Sequence, residues 1–231
     1  MKKYGKMIYL GVFLALVSFI AAGVMGLAAS VTEKAREKAA RDKMTDGLRQ
    51  VLPEFDNDLL ATKKVYTASG NLPAEVYAAR KGGKLVGIAI KTSSMKGYAG
   101  KIEGIISFSP AGEVYTLVIT SHQETPGLGA AIAERKETRT LKSLFTGNVK
   151  KKSPFPSHLP ANPVLDQFRG KKYSGKSWKL KNEGGEIDSV SGATVTSHAV
   201  TDLASRAAEV FFKNQKVILA HPAKEKKGAG K

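Results

Sequence analysis

The sequence predicts an α+β protein: a single N-terminal transmembrane helix followed by a domain of antiparallel hairpins and packed helices. Three observations predict it. Met7 to Ala29 holds 23 consecutive residues without a charge. Two pairs of β-type runs meet at Gly82-Gly83 and at Pro110-Ala-Gly112. Finally, Val200, Leu203, Ala204, Ala207 and Phe211 fall on one helical face between Ser197 and Asn214. The 231 residues suffice for one domain, at about 100–200 residues each, plus appendages.

The first element is the apolar run. At 1.5 Å per residue it reaches roughly 34 Å, enough to cross a hydrocarbon core of about 30 Å. Lys2, Lys3 and Lys6 before it, with Gly26-Leu27-Ala28 or Leu27-Ala28-Ala29 at its end, also suit a cleaved signal peptide. Signal-peptide cores are usually about 7–15 residues, so the length favours an uncleaved anchor. Lys34, Arg36, Lys38, Arg41 and Lys43 on the far flank outnumber the cations before it. By the positive-inside rule that count mildly favours a cytoplasmic C-terminal domain.

Charge and composition exclude several functions. There is no cysteine, hence no disulfide, thiol nucleophile, thiolate zinc site or iron–sulfur cluster ligation. The net charge is +17; after the anchor, 34 cations face all 20 acids, a net +14. Such a balance invites a nucleic-acid reading, but the cations are scattered and no recognition helix or aromatic RNA-binding signature accompanies them. A solvated basic face is the better account. The four histidines, His122, His158, His198 and His221, lack metal-ligand spacing.

The remaining elements follow in order. Val31 to Leu52 is rich in helix formers with Pro53 as a stop, so it continues the anchor as a helix. Glu54 to Pro73 reads as a turn-rich connector. Glu75 to Lys81 and Lys84 to Thr92 form a hairpin across Gly82-Gly83; Tyr98 to Ser109 and Glu113 to Ser121 form a second. An amphipathic helix is expected over Ala131 to Phe145, then a surface loop over Asn148 to Pro163, which holds four prolines. A short element in Leu165 to Lys181 leads to a strand around Trp178 to Leu180, and Glu183-Gly-Gly-Glu186 turns out of it. The tail from Lys224, KEKKGAGK, is expected to be disordered.

Two segments carry chemistry. In Asp188-Ser189-Val190-Ser191-Gly192-Ala193-Thr194, small residues at Ser191, Gly192 and Ala193 let a bulky group approach the backbone. Thr194 falls in the first turn of the last helix. Unpaired N–H groups and the positive dipole end there suit a phosphate; ordinary helix capping by Ser and Thr is the competing reading. In Glu124-Thr125-Pro126-Gly127-Leu128-Gly129, Pro126-Gly127 favours a type II turn with glycine at positive φ, and Gly129 opens a helix.

Asp188-x-x-Ser191-Gly192-Ala193-Thr194 resembles the flavinylation motif of the FMN-binding domain family, and Glu124 to Gly129 resembles the ETPGLG element of the same domains. Leu52-Pro53, Asp58-Leu59-Leu60 and Phe168-Arg-Gly-Lys171 extend the likeness over most of the chain to about Asn214. Family members include the G subunit of the Rnf electron transport complex, which is similar in length, and the C subunit of the sodium-translocating NADH:quinone reductase. The resemblance implies FMN joined through a phosphoester to Thr194, installed from FAD by a separate flavin transferase. The implied cofactor site adds Ser191, Gly192, Ala193, Asp188, Glu124, Thr125, Gly127 and Leu128. His122 and His198 are further candidates near the flavin, and Tyr173 and Trp178 candidates to stack on it, against core or surface roles for each.

The resemblance further implies an electron-carrier subunit rather than a self-contained enzyme, in a complex coupling ferredoxin/NAD electron transfer to ion transport. The sequence has no GxGxxG fingerprint, so other membrane and redox subunits would handle those substrates. It implies a bacterial cytoplasmic (inner) membrane location with the flavin domain on the outer, periplasmic face, against the positive-inside count. The expected division is a cytoplasmic N-terminus at 1–6, a transmembrane helix at 7–29, a juxtamembrane helix and connector at 30–73, an FMN-binding domain at 74–214 and a basic tail at 215–231. The alternatives are the quinone reductase's C subunit and a membrane-anchored scaffold that keeps the fold without flavin.

Overall fold

The computed structural model describes residues 2–135, 159–173 and 178–220. The chain divides into two units, Met1–Met44 and Thr45–Lys231. Helix α1 (Lys2–Val51) covers the expected anchor and juxtamembrane helix without a break. Pro53 sets its end, because a residue before proline is pushed out of the helical region; Leu52 N–H is the last to reach back, to Leu48 O at 3.1 Å. Ile8, Leu10, Phe13 and Phe19 lie exposed along it. Among the described residues it is the one helix long and apolar enough to cross a membrane.

The expected connector at Glu54 to Pro73 is more ordered than its composition suggests. It contains a 3-10 turn at Leu60–Thr62 and strand β1 (Lys64–Ala68). Four longer strands follow: β2 (Leu72–Lys81), β3 (Lys84–Gly97), β4 (Gly100–Phe108) and β5 (Val114–Ser121). They form one antiparallel meander in the order β1-β2-β3-β4-β5. Gly82 and Gly83 both take positive φ, 56° and 76°, as a two-residue hairpin turn requires. The strand expected from Tyr98 begins at Gly100, since Tyr98 and Ala99 make the turn out of β3.

After β5 come α2 (Gly129–Ala133), a 3-10 turn at Leu165–Phe168, another at Lys181–Glu183, α3 (Thr194–Lys213) and α4 (Gln215–Leu219). Helix α3 lies across β3 and β4. Its buried side is small, with Ala199, Ala204, Ala207 and Ala208 all fully enclosed, so the helix sits close to the sheet. Gly104 on β4 answers to that closeness: a Cβ there would lie 3.3 Å from Leu203 Cδ1. Phe108 stacks on Phe211 at 4.9 Å between ring centroids, and Trp178, 1% exposed, meets Phe168 edge-on at 5.5 Å. The other sheet face carries the end of α1, where Leu52 and Pro53 press so closely on Gly87 that a Cβ would lie 2.9 Å from Leu52 Cδ2.

Three expectations are corrected. The helix expected over Ala131 to Phe145 ends at Ala133, because Glu134 is already extended at ψ 132°. The buried Arg135 guanidinium reaches Leu117 O at 2.8 Å, Pro160 O at 2.9 Å and Asp166 Oδ1 at 2.9 Å, and so carries the chain away from the helix axis. Residues 136–145 of that helix, and 148–158 of the loop after it, lie outside the described residues. Among the described residues no strand forms around Trp178 to Leu180: Trp178 is held by its ring in the core, and of these three only Leu180 makes a bridge, to Ile187. The tail expected from 215 opens with α4, whose Ile218 is 2% exposed; residues 221–231 lie outside the description.

Candidate functional site

Three loops that leave the sheet or enter a helix converge at one end of α3. The first joins β3 to β4. Gly97 pairs with Gly100, and Tyr98 between them stands 73% exposed. The second loop follows β5. Leu128 N–H donates to Thr125 O at 3.2 Å, and Gly127 takes φ 79°, the sign a type II turn needs at that position. Gly129 then opens α2.

The third loop enters α3. Ala193 N–H donates to Val190 O at 3.0 Å, with Gly192 at φ 78° between them. Ser197 fastens this turn to the helix: its Oγ accepts from Val190 N–H at 3.1 Å and donates to Ala193 O at 2.9 Å. Ala193 is the N-cap, and among the described residues no side chain caps the helix. Capping therefore does not account for the Ser and Thr residues here, and the N–H groups of the first turn keep their capacity for a ligand.

Between the loops lies a cleft of about 510 Å³, within the range of about 300–1,000 Å³ of small-molecule sites. Its floor is polar. Glu124, 5% exposed, accepts from Thr196 Oγ1 at 2.5 Å through Oε2 and from Ala99 N–H at 3.1 Å through Oε1. Its rim is apolar, with Tyr98, Leu128 at 51% exposure and Val195 at 50%. The Thr194 side chain lies exposed on the cleft wall. Another cleft, of about 420 Å³, lies at the end of α1 among Arg49, Leu52, Phe55 and Lys81. It offers neither a hydroxyl nor a helix N-terminus, and Lys81 there is already paired with Glu54 at 2.6 Å.

Comparison with known proteins identifies a domain family. The sequence profile of the FMN-binding domain family matches residues 97–209, from the turn after β3 through most of α3. Relatives named as the G subunit of the ion-translocating oxidoreductase complex come from Shewanella piezotolerans, 30% identical over 92% of this chain and 93% of theirs, and Yersinia pestis, 32% identical over 86% and 87%. That of Photorhabdus laumondii is 31% identical over 86% and 87%. The chain belongs to the FMN-binding domain family.

The residues present fit an FMN group. The apolar rim suits a flat ring system, and the uncapped start of α3 suits a phosphate. The space around the two turns is open: a Cβ at Gly127 would meet nothing within 4 Å, and one at Gly192 only Leu128 Cδ2 at 3.5 Å. Among the described residues none that lines the cleft is a cation; backbone amides and the helix dipole add positive potential there, a contribution of about 0.3–1 kcal/mol.

Of the residues singled out in the sequence, Glu124, Thr125, Leu128, Gly192, Ala193 and Thr194 line this cleft of the FMN-binding domain. Gly127 and Ser191 shape the two turns beside it. Asp188 is not brought in: it is exposed, paired with Lys181 at 2.6 Å, and its N–H donates to Gln167 Oε1 at 2.7 Å. His198 Nε2 faces Glu183 Oε1 at 3.2 Å, and His122 Nδ1 accepts from Glu124 N–H at 3.3 Å. Trp178 is core, and Tyr173 packs on it edge-on at 5.2 Å. Tyr98, Val195 and Thr196 were missed. The usable signal was the Gly97-Tyr98-Ala99-Gly100 spacing, which marks a tight turn carrying an exposed aromatic.

Proposed function

We propose that the protein is a membrane-anchored electron-carrier subunit that holds FMN covalently through a phosphoester to Thr194. The observation that carries this reading is the exposed Thr194 hydroxyl at the start of an uncapped helix, opening on a cleft of suitable size. Attachment is a phosphoryl transfer from FAD on a separate flavin transferase. Thr194 Oγ1 bonds to the phosphorus of the FMN half, the pyrophosphate P–O bond breaks, AMP leaves, and the hydroxyl proton is released. Once bound, FMN supplies the electron-transfer chemistry. This chain's own residues supply the rest: the first-turn amides of α3 hold the diester anion, Tyr98, Leu128 and Val195 shield the ring from water, and the tether prevents loss of the group.

The relatives' membership of an ion-translocating oxidoreductase complex supports a place in an Rnf-type complex that couples ferredoxin/NAD electron transfer to ion transport, beside other membrane and redox subunits. Helix α1 supports a single-pass position in the bacterial cytoplasmic membrane; the family resemblance, against the flanking charges, is what favours the periplasmic face for the flavin domain. The test is intact-mass analysis of the full chain co-expressed with a flavin transferase. The expected result is an increment of one FMN less one water, absent from Thr194→Val. A colourless, unmodified wild-type chain would leave a tethered scaffold instead.

A further inference from the structure

We infer that Glu124 is a positioning residue for the attachment site, acting through Thr196 rather than on the flavin. The inference rests on the flavinylation reading above. A carboxylate withdrawn from water needs both oxygens satisfied, and here both are engaged inside the protein, one by Thr196 Oγ1 and one by Ala99 N–H. Three segments distant in sequence therefore meet on a single side chain: the turn after β3, the loop at 124–129 and the first turn of α3.

Two glycines leave this clasp no slack. A Cβ at Gly129 would lie 2.5 Å from both Glu124 Oε2 and Thr196 Oγ1, and one at Gly97 would lie 2.7 Å from Glu124 Oε1. Thr194 and Thr196 are two residues apart on a helix of 3.6 residues per turn, so they point to opposite sides. Thr196 is turned inward, 2% exposed, with its hydroxyl committed to Glu124. Thr194 is turned out into the cleft. The clasp thus fixes the helix start that presents the acceptor hydroxyl, at an end where Ala193 provides no side-chain cap.

The experiment is a double-mutant cycle on the initial rate of FMN attachment to the full chain by a flavin transferase with FAD, with thermal melts to verify folding. Glu124→Gln keeps the shape of the side chain but has one acceptor oxygen in place of two. Glu124→Gln and Thr196→Val are each expected to slow attachment by roughly ten- to a hundredfold, as for loss of one hydrogen bond to a charged group. The double variant should be no slower than either single, and Thr196→Ser should recover most of the rate lost in Thr196→Val. Additive losses, or a Glu124→Gln chain modified as fast as wild type, would overturn the inference alone. A wild-type chain left unmodified at Thr194 would overturn the flavinylation reading as well.

Discussion

Gly127 and Gly129 sit in one six-residue motif and answer to different constraints. Gly127 is required by its backbone, at φ 79° with open space around it; Gly127→Ala should cost about 1 kcal/mol for holding an L-residue in the left-handed region. Gly129 is required by its neighbours. Gly129→Ala places a methyl on the Glu124–Thr196 hydrogen bond and should cost about 1–3 kcal/mol by overpacking. In thermal unfolding of the detergent-solubilised chain, each kcal/mol lowers the midpoint by roughly 2–4 °C. Only Gly129→Ala should also slow FMN attachment. The first constraint is legible in the sequence, because Pro-Gly names its own turn. The second is not, because Thr196 arrives from 67 positions further along the chain.

Helix α3 is fastened to β3 by more than its apolar face. Asp202 Oδ2 accepts from Ser94 Oγ at 2.6 Å and from Arg206 Nε at 2.7 Å, and Oδ1 pairs with Lys96 Nζ at 2.9 Å. Burial works against its ionisation, but the hydrogen bonds from Arg206, Ser94 and Lys96 outweigh burial and hold the carboxyl below its ordinary value of 3.8. A depressed native pKa contributes stability that is complete above the unfolded value and is lost as pH falls through the native one. Denaturation followed from pH 7 down to pH 2 should therefore show stability falling below about pH 4. Asp202→Asn should flatten that limb and cost about 3 kcal/mol at neutral pH, since it leaves the half-buried Arg206 without its counter-charge.

At this same scale the hairpins were readable because glycines and Pro110 mark their turns. Strand β1 was not: it is a five-residue edge strand with Lys64 and Val65 exposed, and pairing with β2, not its own composition, makes it a strand. The opposite error arose at Trp178, where a strand was expected to Leu180 but only the side chain is recruited, into the ring cluster of Phe108, Phe168 and Tyr173.

Over the whole molecule, many of the acids are matched by cations in surface pairs such as Lys63–Glu75, Lys171–Glu186 and Lys181–Asp188, which leaves the net positive charge unchanged. Exposed pairs contribute about 0–1 kcal/mol each, so they bear on solubility more than on the fold. The membrane side of the domain is open to direct measurement, because the chain has no cysteine and any introduced thiol is unique. Lys84→Cys, exposed at the start of β3 beside the hairpin turn, should react with a membrane-impermeant maleimide in intact spheroplasts. Lys3→Cys should react only after lysis. The reverse pattern would place the domain in the cytoplasm, as the flanking lysines and arginines alone suggest. Both motifs of the candidate site could be read from the sequence, but their meeting on one buried carboxylate could not, because that depends on where a five-stranded meander delivers its loops.

The exposure of Thr194 bears on the order of events in the life of the protein. Its hydroxyl stands on the exposed side of the turn that begins α3, opposite the Thr196 hydroxyl held by Glu124, so on the proposed reading the maturation enzyme reaches the acceptor without lifting the helix from the sheet. A folded, unmodified chain should then turn yellow when transferase and FAD are added afterwards, with no unfolding step in between.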